Sequence, residues 1–196
     1  AVYFNAYREG VMVGRISGIL QKASNRKLGE KRVRFTRFDS VDDEEVAGAL
    51  FGAVEIWALS KGMDTVCGPL GFSDLEREGL LVEGFDQLST FEEQYNAEYY
   101  GTLIEKRGYV KEVDWTECKV KAPVDYDGSL DQMTDFILKR YNLHFGEAKN
   151  VNDFLKKYAD KIFDLLDRSY EGIYGTVPFT DGMKKMLISN FRLMIS

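Results

Sequence analysis

Alternating apolar and polar residues open the chain and predict β-structure. Residues 2–7 favour a strand, Arg8-Glu9-Gly10 a turn, and residues 11–20 a second strand that pairs back as a hairpin. Glycines at positions 10, 14 and 18 weaken that second strand on its own, so we expect it to have neighbours on both sides. A polar loop is predicted for residues 21–31.

A third strand and the first amphipathic helix follow this loop. The strand is predicted for residues 31–39, with Val33 and Phe35 on one face and the polar side chains at 32, 34 and 36 on the other. The helix is predicted from about Asp42 to Lys61, with Ser40 as its N-cap and acidic residues in its positive first turn. Its apolar face repeats through Val46, Leu50, Ala53, Val54 and Trp57.

The next part of the chain completes a β-β-β-α-β-α-β order. A short buried strand is predicted at residues 65–70, a helix opened by a capping box at 90–93 and ending at Arg107, and a strand at 109–121. Residues 1–122 are therefore predicted to form an α/β (α+β) domain, a mixed, mostly antiparallel sheet flanked by helices.

A helical segment is predicted for residues 123–196. Residues 123–128 favour a linker, and helices are expected at about 129–141, at 152–170 and from about 180. The apolar residues expected inside the last two are Phe154, Leu155, Tyr158, Ile162, Leu165, Leu166, Met183, Met186, Leu187 and Phe191. The chain begins inside a strand-like pattern and ends in an apolar stretch, so we expect a fragment of a longer protein; a short protein with a processed start is the alternative.

Composition and charge narrow the classes of function. Hydrophobic residues make up 44% of the 196 residues, enough for a sizeable core, and the net charge of −6 argues against general nucleic-acid binding. The single histidine excludes three-histidine zinc sites, and we expect no metal. Cys67 and Cys118 are expected to be buried free thiols of a reducing compartment. Because no apolar run is long enough to span a bilayer, a cytoplasmic protein is expected.

One segment carries a family resemblance. Leu103-Ile104-Glu105-Lys106-Arg107-Gly108-Tyr109 resembles the Leu-Tyr-Glu-Lys-x-Gly-Phe segment of the GNAT acyltransferase superfamily, and the order of elements is similar to that family's. Residues 68–73 and 79–85 are similar to a largely uncharacterised bacterial branch in which two such domains can follow in tandem. The resemblance covers residues 1–121 and lacks the family's first strand and first two helices. Residues 165–196 are similar to the opening helices of a second such domain. The helical segment 123–196 is therefore expected either to begin a second domain or to supply the two helices missing from the first.

The resemblance implies an acyl-coenzyme A site, with acetyl-coenzyme A as the expected co-substrate. The coenzyme would lie in a gap between two splayed parallel strands. Its pantetheine would pair with the open edge of the third strand, and its pyrophosphate would lie on the amides that start the helix near residues 40–45. The predicted coenzyme-binding residues are Arg37, Phe38, Asp39, Ser40, Cys67, Gly68 and Asn96.

Two features depart from the family pattern. Residues 42–45 are four consecutive carboxylates where the family has a glycine-rich loop. This segment is therefore either a helix start capped by its own acidic residues, which would repel pyrophosphate, or a site that holds the phosphates. Ile104 stands where many members have the tyrosine that protonates the leaving thiolate. Tyr99 or Tyr100 is the alternative candidate for the proton donor. The other interpretation of these tyrosines is an aromatic stripe that fills the core. Glu83 is the candidate base for the amine, against an ordinary loop carboxylate.

Two functions of different class follow from these residues. The first is an acyl-coenzyme A-dependent transferase that moves an acyl group to an amine of a small molecule or peptide, by direct attack of the amine on the thioester. The alternative is a non-catalytic GNAT-fold protein that binds a ligand or partner. Neither nucleic acid nor a membrane is expected as a partner, and a homodimer is left open.

Overall fold

The computed structural model describes residues 1–73, 75–90, 93–122, 124–125 and 127–192, except for the side chain of Phe191. These residues form an open, four-stranded mixed sheet and six helices, which confirms the predicted class. The elements are β1 (Val2–Arg8), β2 (Val11–Ile19), α1 (Lys22–Leu28), β3 (Arg32–Ser40), α2 (Glu44–Ser60), β4 (Thr65–Cys67), α3 (Tyr99–Lys106), α4 (Ser129–Tyr141), α5 (Val151–Ser169) and α6 (Asp181–Phe191).

The chain divides into two units. The first contains residues 1–114 and 167–178, and the second contains residues 115–166 and the described residues from 179 onward. The domain boundary at 122 stays a prediction.

The sheet of the first unit has the order β1-β2-β3-β4. β1 pairs with β2 and β2 with β3 in antiparallel fashion, whereas β3 and β4 are parallel. The glycine-rich β2 therefore has neighbours on both sides, as predicted. Glu9 and Gly10 form the hairpin turn with φ angles of 51° and 81°.

Helix α2 packs on the sheet through the predicted face. Val46, Leu50 and Val54 are buried. Gly14 on β2 permits this approach, because an added Cβ would lie 2.8 Å from the Leu50 Cδ1 atom. The predicted N-cap, Ser40, is wrong: Asp43 caps the helix, since Ser40 still belongs to β3.

An aromatic cluster joins the sheet to α2 and α3. The Phe51 ring contacts Phe35, Phe38 and Tyr109 with centroid distances of 5.0, 4.8 and 5.0 Å, and the rings of Phe38 and Tyr100 are 5.2 Å apart. Phe35 and Phe51 are fully buried. Aromatic side chains bury large apolar areas, so this cluster is the main core of the unit.

The polar face of β3 is not solvent-exposed. Arg34 is only 4% exposed. Its Nη1 donates to the Gly71 carbonyl at 3.2 Å, and its Nη2 donates to Ser24 Oγ at 3.2 Å and to the Gly175 carbonyl at 2.7 Å. The guanidinium thus joins α1, the segment after β4 and residues 167–178 to β3.

The structure corrects one predicted loop and the start of one predicted helix. The loop predicted at 21–31 contains α1, because Gln21 caps its first turn and Gly29 ends it in the left-handed conformation. The helix predicted from residue 90 begins at Tyr99; Phe91 and Glu92 lie outside the described residues. Asn96, just before α3, is held by backbone groups of the preceding loop, which keeps this stretch from being helical.

The strand predicted at residues 109–121 is wrong. This stretch is fully described and contains no strand. Val110 and Val120 are each 88% exposed, and Cys118 is exposed, contrary to the predicted buried thiol. Its alternating pattern pairs with none of the described strands. Cys67 is half-buried, and both cysteines are free.

The three predicted C-terminal helices are confirmed as α4, α5 and α6. The buried cluster of the second unit consists of Ala159, Phe163 and Leu187. The expected inward residues Ile162, Leu165 and Met186 are 39%, 57% and 41% exposed, since they lie outside this buried cluster. The inward position expected for the Phe191 side chain lies outside the described part of the chain. No helix in that part combines the length and apolar character needed to cross a bilayer.

Candidate functional site

The parallel strands β3 and β4 pair over a short distance only. Three residue pairs match, the last being Arg34 with Cys67, where β4 ends. One further bond follows, from the Leu70 amide to the Phe35 carbonyl at 2.8 Å. β3 continues to Ser40, and beyond Phe35 no described strand lies along this edge. The early end of β4 therefore opens space beside the second half of β3.

A bulge in β3 lies at the same place. Asp39 pairs with Arg15 and Thr36 with Ser17, so Arg37 and Phe38 both lie opposite one β2 residue. Arg37 adopts a φ of 51°, a left-handed conformation that costs a non-glycine residue about 1 kcal/mol or more. As a result the Phe38 ring is buried in the core, while Arg37 is exposed beside the opening.

A small, partly open cleft, with room for about one water molecule, occupies this opening, and we call it the β3 cleft. Its apolar wall comes from Phe38, Pro69 and Leu80, and Arg37 and Arg77 contribute positive charge. None of the lining residues that the structure describes is a carboxylate, a histidine or a cysteine. The described lining residues are Thr36, Arg37, Phe38, Pro69, Arg77, Leu80, Gln94, Asn96 and Tyr100.

Gly68 directs the chain out of β4 and into the cleft wall. Its φ is 149°, and an added Cβ would lie 2.3 Å from the Phe35 carbonyl oxygen. No side chain fits at that distance from a backbone atom, so only glycine allows the chain to pass this close to β3. Cys67, immediately before it, is half-buried, and burial raises the pKa of its thiol.

Asn96 holds the opposite wall. It is 5% exposed. Its Oδ1 accepts from the Leu81 amide at 2.8 Å, and its Nδ2 donates to the carbonyls of Leu81 at 3.2 Å and Ala97 at 3.0 Å. The amide thereby fixes the Leu80-Leu81 segment against the cleft.

Two neighbouring tyrosines bind the end of β3. The Tyr100 hydroxyl donates to Asp39 Oδ1 at 2.8 Å and accepts from the Ser40 amide at 3.3 Å. The Tyr99 hydroxyl donates to the Ser40 carbonyl at 2.8 Å. Both backbone groups of Ser40 are thus bound by phenols where another strand would otherwise bind them. Asp39 Oδ2 pairs with Arg15 at 2.6 Å.

The environment of Tyr100 weakens it as an acid. Burial, and next the hydrogen bond to Asp39, raise its pKa to about 12. The phenol is therefore protonated at neutral pH. Because a free thiol has a pKa of about 8.5, complete proton transfer from Tyr100 to a thiolate is unfavourable, and a hydrogen bond to the sulfur is the easier role.

The acidic start of α2 binds its own basic groups. Asp43 Oδ1 accepts from the amides of Glu45 at 2.9 Å and Val46 at 3.3 Å. Arg8 contacts Asp43 at 2.8 Å and Glu45 at 3.2 Å, and Lys106 pairs with Glu44. The hydrogen bond from Arg8 holds the pKa of the Asp43 carboxyl below its usual value.

The structure brings only part of the predicted site together. Arg37, Phe38, Asn96 and Tyr100 line the cleft. Asp39 and Ser40 hydrogen-bond Tyr100, and Tyr99 hydrogen-bonds Ser40. Cys67 and Gly68 lie at the end of β4. Glu83 is exposed and does not line the cleft. The assignment of these residues to catalysis or binding stays a prediction. Among the described residues, no group of three or more histidine, cysteine, aspartate or glutamate side chains is placed to hold a metal ion.

The sequence did not single out five lining residues: Thr36, Pro69, Arg77, Leu80 and Gln94. Pro69 follows the predicted Gly68, and Leu80 belongs to an apolar run, so a weak signal existed for those two. Arg77 and Gln94 lie in loops without periodicity, and nothing in the sequence marked them.

Comparison with known proteins finds two distant relatives. The chain is 27% identical over 196 residues to the bacterial ceramide synthase of Caulobacter vibrioides, covering 98% of the chain and 50% of that protein. It is 26% identical over 183 residues to Protein YghO of Escherichia coli strain K12, covering 90% of the chain and 44% of that protein. The chain thus spans about half the length of these relatives. No family model matches it, and no solved structure matches it significantly.

Proposed function

We propose that this protein is an acyltransferase that moves an acyl group from a thioester to an amine in the β3 cleft. The early separation of β3 and β4 carries the proposal, because it leaves an open edge of β3, beside a partly apolar cleft, whose backbone groups would hydrogen-bond an acyl-pantetheine arm. The relative named bacterial ceramide synthase supports it, since a ceramide is an amide made by joining an acyl group to an amine.

The reaction requires two proton movements. The amine nitrogen attacks the thioester carbonyl carbon, the C–N bond forms, the C–S bond breaks, the nitrogen loses a proton and the thiolate gains one. Tyr100 is the phenol that lines the cleft, and it would hydrogen-bond the departing sulfur after leaving Asp39. Glu83 lies on an exposed loop and would accept the amine proton through water.

The proposed donor is an acyl-coenzyme A, with acetyl-coenzyme A the first to test, and the acceptor is a small-molecule or peptide amine in the cytoplasm. The relative's name adds a long-chain amine to the acceptors worth testing. GNAT-type architecture remains our interpretation of the open mixed sheet, and it is compatible with the strand order.

The test measures thiol release from acyl-coenzyme A in the presence of each amine. Tyr100→Phe should lower kcat by about tenfold, equivalent to about 1.4 kcal/mol, the size expected for loss of one hydrogen bond to the departing sulfur. Tyr99→Phe is the matched control, because it removes a hydroxyl bound to the same strand but outside the cleft lining, and it should retain activity within about threefold. Absence of thiol release with every donor and amine would contradict the proposal.

A non-catalytic binding protein is the second candidate. It is favoured by the engagement of both phenols with β3, and by a lining whose described members include no carboxylate or histidine. Saturable binding of acetyl-coenzyme A by calorimetry, without thiol release, would support this function over acyl transfer.

A further inference from the structure

The start of α2 does not fit the pyrophosphate of a coenzyme. A helix N-terminus binds phosphate through unpaired amides that point at the anion. Here the amides of Glu45 and Val46 are already bound by the Asp43 carboxylate, at 2.9 and 3.3 Å. An incoming phosphate would have to displace a carboxylate that is part of the same chain.

The charge around this helix start is also unfavourable for phosphate. Residues 42–45 contribute four carboxylates, and two basic residues reach them: Arg8, which contacts Asp43 and Glu45, and Lys106, which contacts Glu44. The acidic groups therefore outnumber these cations by two. Like charges at such distances repel, and water screens the repulsion only in part.

The β3 cleft has the opposite character. Among its described lining residues the charged ones are Arg37 and Arg77, and Phe38, Pro69 and Leu80 form its apolar wall. The apolar wall matches the chemistry of an acyl chain, and the open edge of β3 matches the amide groups of a pantetheine arm, whereas the anionic nucleotide end of coenzyme A would meet the carboxylates at the start of α2.

We infer that the protein recognises its acyl donor through the acyl-pantetheine arm, and that Asp43, Glu44 and Glu45 prevent the nucleotide part of coenzyme A from contributing to recognition. This inference rests on the proposed acyl transfer. The arm has the same chemistry whether it is attached to coenzyme A or to a carrier protein.

The experiment compares donors with one acyl group on three carriers: coenzyme A, free pantetheine and an acyl carrier protein. We expect kcat/KM for acyl-pantetheine within about threefold of that for acyl-coenzyme A, because the nucleotide adds no contact. If kcat/KM for the acyl carrier protein equals that for acyl-pantetheine, only the arm is recognised. If it is at least tenfold higher, the carrier protein is the donor. Both outcomes support the inference.

A loss of about thirtyfold or more on removal of the nucleotide would overturn the inference and leave acyl transfer intact. Absence of turnover with all three donors would refute the proposed function, and this inference with it. Saturable heat on titration with adenosine 3′,5′-bisphosphate, the nucleotide end of coenzyme A, would overturn the inference independently of activity.

A charge variant tests the named carboxylates directly. Glu44→Gln/Glu45→Gln keeps the Asp43 cap and should improve the preference for acyl-coenzyme A over acyl-pantetheine by about threefold or more. Glu147→Gln/Asp160→Asn removes the same charge at exposed residues of the second unit and should leave the preference unchanged. Equal preferences in the two double variants would show that the acidic helix start does not select the donor.

Discussion

Arg37 combines a strained backbone with a position in the cleft, and one substitution separates these properties. Its φ is 51°, and its side chain is exposed at the cleft lining. Arg37→Gly removes about 1–2 kcal/mol of left-handed strain, while the flexibility of glycine in the unfolded chain costs about 0.5–1 kcal/mol. We therefore expect a net gain of roughly 0.5–1 kcal/mol and an increase in Tm of about 3 °C.

The same variant should lose function. If the guanidinium contacts the acyl donor, its removal should lower kcat/KM by about tenfold, equivalent to about 1.4 kcal/mol for one lost charged hydrogen bond. Stability is measured by calorimetry and urea unfolding, and activity by thiol release.

Glu9→Gly is the matched control for Arg37→Gly. Glu9 also has a φ of 51°, but it lies in the exposed β1–β2 turn and does not line the cleft. It should gain a similar amount of stability and keep full activity. If Arg37→Gly lowers Tm while Glu9→Gly raises it, Arg37 makes a stabilising contact and the argument from strain is wrong. If activity is unchanged, Arg37 does not contact the donor.

Three further predictions concern the core, the cleft wall and pH. Phe51→Ala should reduce the free energy of unfolding, measured in urea, by about 4 kcal/mol. Ile56 lies on the same helix and is 70% exposed, so Ile56→Ala should reduce it by less than about 0.5 kcal/mol, and similar effects of the two variants would contradict the packing. Gly68→Ala should destabilise the protein by about 3 kcal/mol, because the added Cβ would lie 2.3 Å from a β3 carbonyl oxygen. In Gly48→Ala, inside α2, the added Cβ meets no atom within 4 Å, so this variant should stabilise the protein by about 0.5–1 kcal/mol. The pKa of Tyr100 is about 12, against an ordinary value of 10.0, so the protonated phenol stabilises the folded protein fully below pH 10 and this contribution is lost as the pH rises toward 12. Tyr100→Phe should therefore flatten the decline of Tm between pH 10 and 12, and an unchanged slope would refute the assignment.

The hairpin, β3 and α2 could be predicted from sequence because local pattern and packing agree there. Alternation places Val33 and Phe35 in the core, and helical spacing places Leu50 and Val54 against them. The N-cap was misplaced because Ser40 and Asp43 are both good caps, and only the length of β3 decides between them.

The remaining errors arose where long-range contacts decide the structure. Residues 109–121 alternate like a strand but pair with no strand that the structure describes. Arg34 has the sequence character of a surface residue, yet distant segments of the chain bury it. The cleft depends on where β4 ends and on loop residues such as Arg77 and Gln94. Neither property leaves a periodic signal, so the site could be predicted only along β3 and at Asn96 and Tyr100.

The bond between Arg34 and the Gly175 carbonyl spans 141 positions of sequence, which bears on how the protein is made. While a ribosome is still synthesising the middle of the chain, the guanidinium of β3 lacks one of its acceptors and must remain hydrated. Because closing so long a loop is entropically costly, we expect this contact to form late in folding. A truncated chain that stops before residue 167 should therefore expose a charged side chain within its sheet and be a good substrate for cellular proteases.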